Sequence, residues 1–393
     1  MNILIIGQAD SVFFEYYSKQ LKLYCSDINI TIFSLDEVYS RNDLSACDTV
    51  YVNPWNNSIL INFKGLRTIL EPILTCYYIF LFLRSSRKKF DIIHFKWLKS
   101  SIVLSSFFIR HFSNRIISML WGGEFHNQRL FFSHKLYFFF LRLFLKKMDV
   151  ITYSNDEDLS SLTNMVRQKV KLKHAIYGSE VLKEIQTKLS KFERGYCKNL
   201  FGIDDTMITI SLGYSGKRIH QQLLVLKLLM KNDNFVQIKG RLLFILPMTY
   251  GRDEQYQKVI EDYMNINKIQ YKVLVEKLSN SDVAFLRLAT DIFIQTTKFD
   301  GRSSSVIEYL LAGSVMISGS WLPYNVFKER SLYFYEVHEI ESSLFSNLLV
   351  RIVHNISSEL SLAKSNQYKW GFGETWEGVM PNWINNIYKL KNH

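Results

Sequence analysis

The stretch Phe299-Asp300-Gly301-Arg302-Ser303-Ser304-Ser305-Val306-Ile307-Glu308-Tyr309-Leu310-Leu311-Ala312-Gly313 gathers two acids, an arginine and three serines around the expected start of a helix. It follows an apolar, strand-like run and closes on a glycine, the residue that most readily ends a helix. Ser303, Ser304 and Ser305 fall at the helix start, where unpaired backbone amides and the helix dipole favour an anion. Glu308 lies one turn further in, within reach of a sugar hydroxyl near the same terminus, and Asp300 sits on the loop before it. By pattern alone, a capped helix carrying solvated acids reads the same way.

Two other segments carry residues fit for chemistry. Gly213-Tyr214-Ser215-Gly216-Lys217-Arg218 is a glycine-punctuated turn after a strand-like run, with two adjacent cations. Glycines let backbone approach a phosphate, and Lys217 or Arg218 can neutralise a pyrophosphate, although a solvated basic turn is the plainer explanation. Met119-Leu120-Trp121-Gly122-Gly123-Glu124-Phe125-His126 ends a strand of the first half. There Glu124 or His126 could hold a hydroxyl or take its proton, against the alternative of a turn whose tryptophan packs inward. His94, also at a strand end, reads as a hydrogen-bonded structural histidine. No His, Asp or Glu cluster has metal-ligand spacing and no Asp-x-Asp occurs, so neither a metal nor a cofactor is implied.

These residues carry a resemblance. Asp300 and Glu308 resemble the E-x7-E signature of family 4 GT-B glycosyltransferases, with Asp in place of the first Glu. Leu311-Ala312-Gly313-Ser314-Val315-Met316-Ile317 is similar to that family's helix-ending Ala-x-Gly-x-Pro-Val-Ile. The resemblance implies that the first acid lies near the transferred sugar, that Glu308 binds the ribose, and that Gly213, Ser215, Gly216, Lys217 and Arg218 contact phosphates. The same turn resembles the Gly-x-Ser-Gly-x-Arg of enterobacterial fucosamine transferases, and Pro247-Met248-Thr249-Tyr250 resembles their Pro-Met-Gly-Tyr, which adds Met248 and Thr249 to the donor site. Trp121–His126 resembles the Trp-Gly-x-Asp-(Leu/Phe)-Tyr motif of those transferases, with Glu124 at the acid and His126 at the tyrosine. The implied donor is a nucleotide-diphosphate sugar, and the implied acceptor is a glycan or lipid-linked glycan. Family 4 implies retention of anomeric configuration, and the fucosamine transferases imply inversion.

The elements that must position these residues can be read along the chain. Strand-like runs at Asn2–Ile6, Asn29–Phe33, Thr49–Val52, Phe90–Phe95, Arg115–Met119 and Val150–Tyr153 alternate with helical patterns, including one over Ser101–Phe112. The alternation restarts with strands at Met207–Leu212, Arg241–Leu246, Val273–Val275, Asp291–Gln295 and Val315–Ser318. Such alternation predicts parallel, doubly wound α/β sheets, here two Rossmann-like domains facing a central cleft. The polar stretch Lys191–Asp205 suggests the break, giving an acceptor domain over 1–195 and a nucleotide-sugar domain over 206–365. Residues 366–393 then form a helix crossing back to the first domain.

Bulk properties narrow the class. At 393 residues two domains are the default, and 48% apolar with 21% charged residues is a folded composition. A net charge of +12 calls for an anionic partner, or reflects a lysine-rich composition alone. No nucleic-acid motif is present, so nucleic acid is not expected. Ile69–Leu83 and Leu130–Leu145 are apolar but interrupted, and neither reads as a membrane span. Both fit amphipathic helices resting on an anionic bilayer, or buried helices covering a sheet. Four scattered cysteines and an N-terminal run that enters a strand without a basic leader suggest a cytoplasmic chain, at most at the inner face of the membrane. The whole reads as a glycosyltransferase of bacterial surface-polysaccharide assembly. Two rivals stand beside it, a GT-B sugar-nucleotide epimerase and a non-catalytic GT-B subunit.

Overall fold

A computed structural model of the chain describes residues 1–9, 12–36, 44–57, 64–86, 89–96, 98–120, 128–166, 169–341 and 343–390. The chain forms two compact units, Met1–Gly178 with Trp376–His393, and Ser179–Thr375.

The first unit is built on strands β1 (Asn2–Gly7), β2 (Asn29–Ser34), β3 (Thr49–Val52), β4 (Phe90–Lys96), β5 (Ser113–Met119), β6 (Val150–Tyr153) and β7 (Lys171–His174). They pair in the order β3-β2-β1-β4-β5-β6-β7, all parallel. In β1 the alternation of a strand sends Ile3 and Ile5 to one face and Leu4 and Ile6 to the other, and all four are buried. One face is covered by helix Val12–Tyr24 and by the terminal Trp376–Tyr388 segment, through Tyr17, Trp376, Trp383 and Tyr388. The other is covered by helices Lys64–Ser85 and His134–Leu145, through Ile79, Leu83, Tyr137, Leu141 and Phe144. His94 is buried, with Nδ1 2.6 Å from the Tyr388 hydroxyl, which in turn accepts from Tyr17 at 2.9 Å. Burial, then Lys96, hold this imidazole down at about 3, so it is neutral and structural.

The second unit carries β8 (Ile208–Leu212), β9 (Leu242–Pro247), β10 (Gln270–Leu274), β11 (Ile292–Gln295), β12 (Val315–Gly319) and β13 (Tyr335–Val337). Their order is β10-β9-β8-β11-β12-β13, again all parallel. In each sheet the chain winds outward one way and then the other. The switch falls between β1 and β4 in the first unit and between β8 and β11 in the second, the place where open α/β sheets bind ligands.

Three expectations differ from what is observed. The polar stretch 191–205, placed at a domain break, lies within the second unit. Helices Glu180–Leu189 and Arg194–Asn199 bury Leu182, Ile185 and Cys197 against Ala284 and Leu288. Two cations of that stretch share a buried partner, Lys198 Nζ lying 2.7 Å and Arg194 Nε 3.6 Å from the Asp291 carboxylate. The helix expected over 101–112 is instead two short 3-10 turns, Val103–Phe107 and Ile109–His111, which bury Ser105 and Ser106 beside Val103. Finally, β7 and β13 were not expected. Both are short edge strands, and β7 reads Lys-Leu-Lys-His with mostly exposed side chains, so no apolar run announces it.

The chain leaves the first unit at Gly178, where a Cβ would stand 2.5 Å from Trp376 Cα and 2.6 Å from Trp376 N. Backbone cannot yield as a side-chain tip can, so Gly178→Ala is expected to cost about 2 kcal/mol or more of unfolding free energy, measurable by urea titration.

Candidate functional site

The carboxyl ends of β8 and β11 bring together the two segments singled out in the second half of the sequence. After β8 the chain turns at Gly213, whose φ of +67° and whose approach to His220 (2.8 Å from a built Cβ to Nδ1) both require glycine. The turn runs through buried Ser215 and Gly216 to exposed Lys217 and Arg218. Gly216 N donates to Tyr250 O at 2.9 Å, which lays the turn against the end of β9, where Met248 is buried and Thr249 half-buried. Arg218 forms an exposed 2.6 Å pair with Asp253. The Lys217 ammonium rests 4.8 Å over the Tyr250 ring and has no carboxylate partner among the described residues.

Beneath this turn several buried polar atoms have no hydrogen-bond partner among the described residues. They are Ser215 Oγ and Gln222 Oε1, together with both ring nitrogens of His220 and Gln295 Oε1, which lie near one another without forming a bond of good geometry. Such a concentration is unusual in a packed interior and marks a place for water or a polar ligand. The His220 ring is pushed down to about 4, first by burial and then by Lys217, while Gln295 acts in the opposite sense. At neutral pH it is therefore an uncharged imidazole.

After β11 the loop reaches Asp300, whose carboxylate is fully engaged. Oδ2 accepts from Tyr324 at 2.5 Å and Gln295 Nε2 at 3.2 Å. Oδ1 accepts from Tyr214 and from Ser303 N, both at 3.2 Å. The last contact makes Asp300 an anion at the start of helix Ser304–Leu311, the position the sequence suggested for a ligand. Burial raises its carboxyl above the ordinary value, and the four donors pull against it. Ser303 caps the helix, its Oγ accepting from Ser305 N at 3.3 Å. Arg302, the residue between, takes a left-handed φ of +62° and pairs with Glu374 at 3.4 Å.

Glu308 is buried rather than solvated. Its Oε2 accepts from Arg287 Nε at 3.2 Å and its Oε1 from Ser179 Oγ at 2.9 Å. The same guanidinium donates to Tyr309 OH at 2.6 Å and Ser305 Oγ at 3.3 Å, and lies 4.1 Å over the Tyr309 ring. Burial alone would lower its pKa, but Tyr309 and Glu308 outweigh that and raise it. Arg287 therefore stays charged. Sequence reasoning missed Arg287, Tyr324 and Gln295. Arg287 carried one signal, a lone cation inside the apolar run Phe285-Leu286-Arg287-Leu288-Ala289.

Asp300, Glu308, the three serines and the Gly213–Arg218 turn are thus brought to one end of the second sheet, with Met248 and Thr249 beside them. Trp121, Glu124 and His126 lie outside the described residues. Among the described residues no group of three or more His, Cys, Asp or Glu is placed to hold a metal ion.

No protein-family model matches the chain, and no curated protein matches it in sequence. Solved structures do. Sucrose-phosphate synthase from Thermosynechococcus elongatus superposes with a TM-score of 0.69 at 11% identity, covering 100% of both chains. Anabaena Alr3699/HepE in complex with UDP gives 0.68 at 12%, covering 99% of this chain and 100% of that one. A glycosyltransferase from Rickettsia africae gives 0.67 at 13%, covering 100% and 99%. At such identities the likeness is one of fold, and the fold is GT-B, two Rossmann-like parallel-sheet units.

Two outcomes are expected of the site. Arg287→Ala leaves the Glu308 carboxylate buried without its cation and should lower stability by about 3–5 kcal/mol in urea unfolding. His220 is neutral when folded, so the unfolded chain binds the extra proton and stability falls as pH drops from 6.5 toward 4. In His220→Gln that loss should be smaller by about 3 kcal/mol, read from unfolding free energies at neutral pH and near pH 4.

Proposed function

We propose that this chain is a glycosyltransferase that moves a sugar from a nucleotide-diphosphate sugar to a hydroxyl of a glycan or lipid-linked glycan. The observation that carries the reading is the arrangement at the β8/β11 switch point. An ammonium with no carboxylate partner, a glycine turn over buried polar atoms with no hydrogen-bond partner, both among the described residues, and a helix start meet there within one unit.

In this reading Lys217, with Arg218 released from Asp253, takes the diphosphate, and Ser215 and the helix start at Ser303–Ser305 supply further donors. These fixed charges and dipoles would stabilise the diphosphate as it leaves, the work a metal does elsewhere, so the reaction is proposed to be metal-independent. Glu308, with a lone pair remaining on each oxygen beyond its bonds to Arg287 and Ser179, takes a ribose hydroxyl. The neighbours bound to UDP and UDP-glucose make a uridine donor the first to try. Glu124 and His126 are proposed on the acceptor side, where either would accept the hydroxyl proton. The family 4 likeness favours retention. Cytoplasmic action at the inner face of the plasma membrane, in surface-polysaccharide assembly, completes the reading.

One observation favours a second reading. The Asp300 carboxylate already accepts four internal hydrogen bonds, as it would in a non-catalytic subunit that kept the loop but not the reaction.

A thermal-shift screen of the full chain against UDP-, GDP- and dTDP-sugars tests the proposal. A matching donor at about a hundred times its Kd should add about 2.7 kcal/mol and raise Tm by roughly 5 °C. No shift with any nucleotide contradicts it. With the matching donor, Glu308→Ala should lower transfer per folded molecule roughly a hundredfold, the size of a lost charge-assisted contact, with urea unfolding measured alongside because Arg287 is left buried without its anion. Unchanged biological function in both Glu308→Ala and Asp300→Ala would favour the second reading, and release of free epimer would indicate an epimerase.

A further inference from the structure

The first unit has a helix that faces the wrong way for water. Lys64–Ser85 packs on the sheet through Pro72, Thr75, Ile79 and Leu83, so its opposite side points outward. A surface helix ordinarily turns charged and polar residues to solvent. Here the outward positions, at spacings of three and four, are Leu66, Ile69, Ile73, Tyr77 and Leu81, of which Ile73 is 47% and Tyr77 52% exposed. This is a continuous apolar stripe along about four turns, far beyond the scattered exposed apolar residues normal on a protein surface.

The stripe does not stand alone. The 3-10 turn Val103–Phe107 lies beside this helix and beside helix His134–Leu145. Phe108 packs edge-on to Phe80 at 5.3 Å, and Phe107 edge-on to Phe140 at 5.9 Å. Phe107 is 68% exposed, and on the second helix Phe139 is 57% exposed. Both helices cover the same face of the sheet, so their outward sides look the same way. Cations border the apolar patch: Arg84 lies in the last turn of the first helix and Lys89 follows it, and Lys135, Arg142, Lys146 and Lys147 are exposed on and after the second. Residues 64–89 hold six Lys or Arg against one acid, Glu71, which is occupied by Arg67 at 3.1 Å. Residues 129–147 hold five against none.

We infer that this face docks on an anionic lipid bilayer, with the Leu66–Leu81 stripe, Phe107 and Phe139 entering the interface and the lysines and arginines meeting lipid phosphates. An apolar band bordered by cations that have no carboxylate partner among the described residues is what interfacial helices present to membranes, whereas a protein partner would not require so one-sided a charge. The helix is long and apolar enough to cross a bilayer by length and composition. Its inner side, however, is committed to the sheet core through Ile79 and Leu83, which places it in the plane of the interface. The inference concerns the first unit alone and stands whether or not the chain transfers sugars.

Flotation of the full chain with vesicles tests it. Vesicles of phosphatidylcholine and phosphatidylglycerol in equal parts should carry the chain up the gradient, and phosphatidylcholine alone should not. Lys146→Ala with Lys147→Ala should lower partitioning about twenty-five-fold, at roughly a fivefold change for each cation removed. Ile73→Glu with Tyr77→Glu should abolish flotation, with circular dichroism unchanged because both side chains are outward. Raised salt should weaken binding. Equal binding to neutral vesicles, no binding to either kind, or variants that float as well as the parent would overturn the inference. So would retention through alkaline carbonate, which indicates a spanning helix, or a dimer that Ile73→Glu dissolves, which indicates a second copy on this face.

Discussion

The second unit turns on a buried ion pair. Arg287 and Glu308 face each other 6% and 5% exposed, and neither charge could remain there without the other. The pair is not chiefly a source of stability, since an apolar pair of similar volume can serve as well. What it does in the fold is join separate helices. Arg287 comes from helix Asn280–Ala289, Glu308 from helix Ser304–Leu311, and Ser179, the third partner, caps helix Glu180–Leu189 by accepting from Leu182 N at 3.3 Å. Three helices are thereby held to one geometry, and with them the loop that carries Asp300. Tyr309 extends the lock into the sheet, its hydroxyl 2.6 Å from Ser211 on β8 and its ring stacked at 4.0 Å on Phe293 of β11.

Against this fixed frame the β8 turn is the less satisfied part. Each oxygen of Asp300 and of Glu308 has a protein donor, while Ser215, His220, Gln222 and Gln295 hold polar atoms with none among the described residues. A buried polar group without a partner costs free energy that a ligand or water can recover. The division suggests that Asp300 shapes the site and the turn takes the diphosphate, with Lys217 as its charge, while Glu308 keeps a lone pair on each oxygen for the ribose. The shorter side chain at 300 fits this division. An aspartate two positions before a left-handed residue can fold back onto Ser303 N, and the helix dipole is then answered by the protein itself.

Much of this was legible in the sequence because it rests on local patterns. Buried parallel strands are apolar along their length, so β1, β4, β8 and β12 read clearly, and glycines at 213 and 313 punctuate the turns that the backbone needs. The placement of Asp300–Glu308 at a strand end followed from the same alternation. What remained hidden depends on partners far apart in sequence. Glu308 reads as a solvated acid until Arg287 and Ser179 are seen beside it. Lys198 and Arg194 read as a polar linker until Asp291 closes on them. For Ile69–Leu83 the sequence left a helix on a bilayer and a helix covering a sheet side by side, since composition shows that a helix is apolar but not which side the sheet takes.

The central claim is that the β8/β11 switch point of the second unit receives a nucleotide-sugar. Hydrogen–deuterium exchange of the full chain, with and without the donor that stabilises it, tests this most directly. The account predicts slowed exchange confined chiefly to 213–220 and 300–308, where the turn and the helix start meet. Protection elsewhere in the chain, with these two segments unchanged, would contradict it.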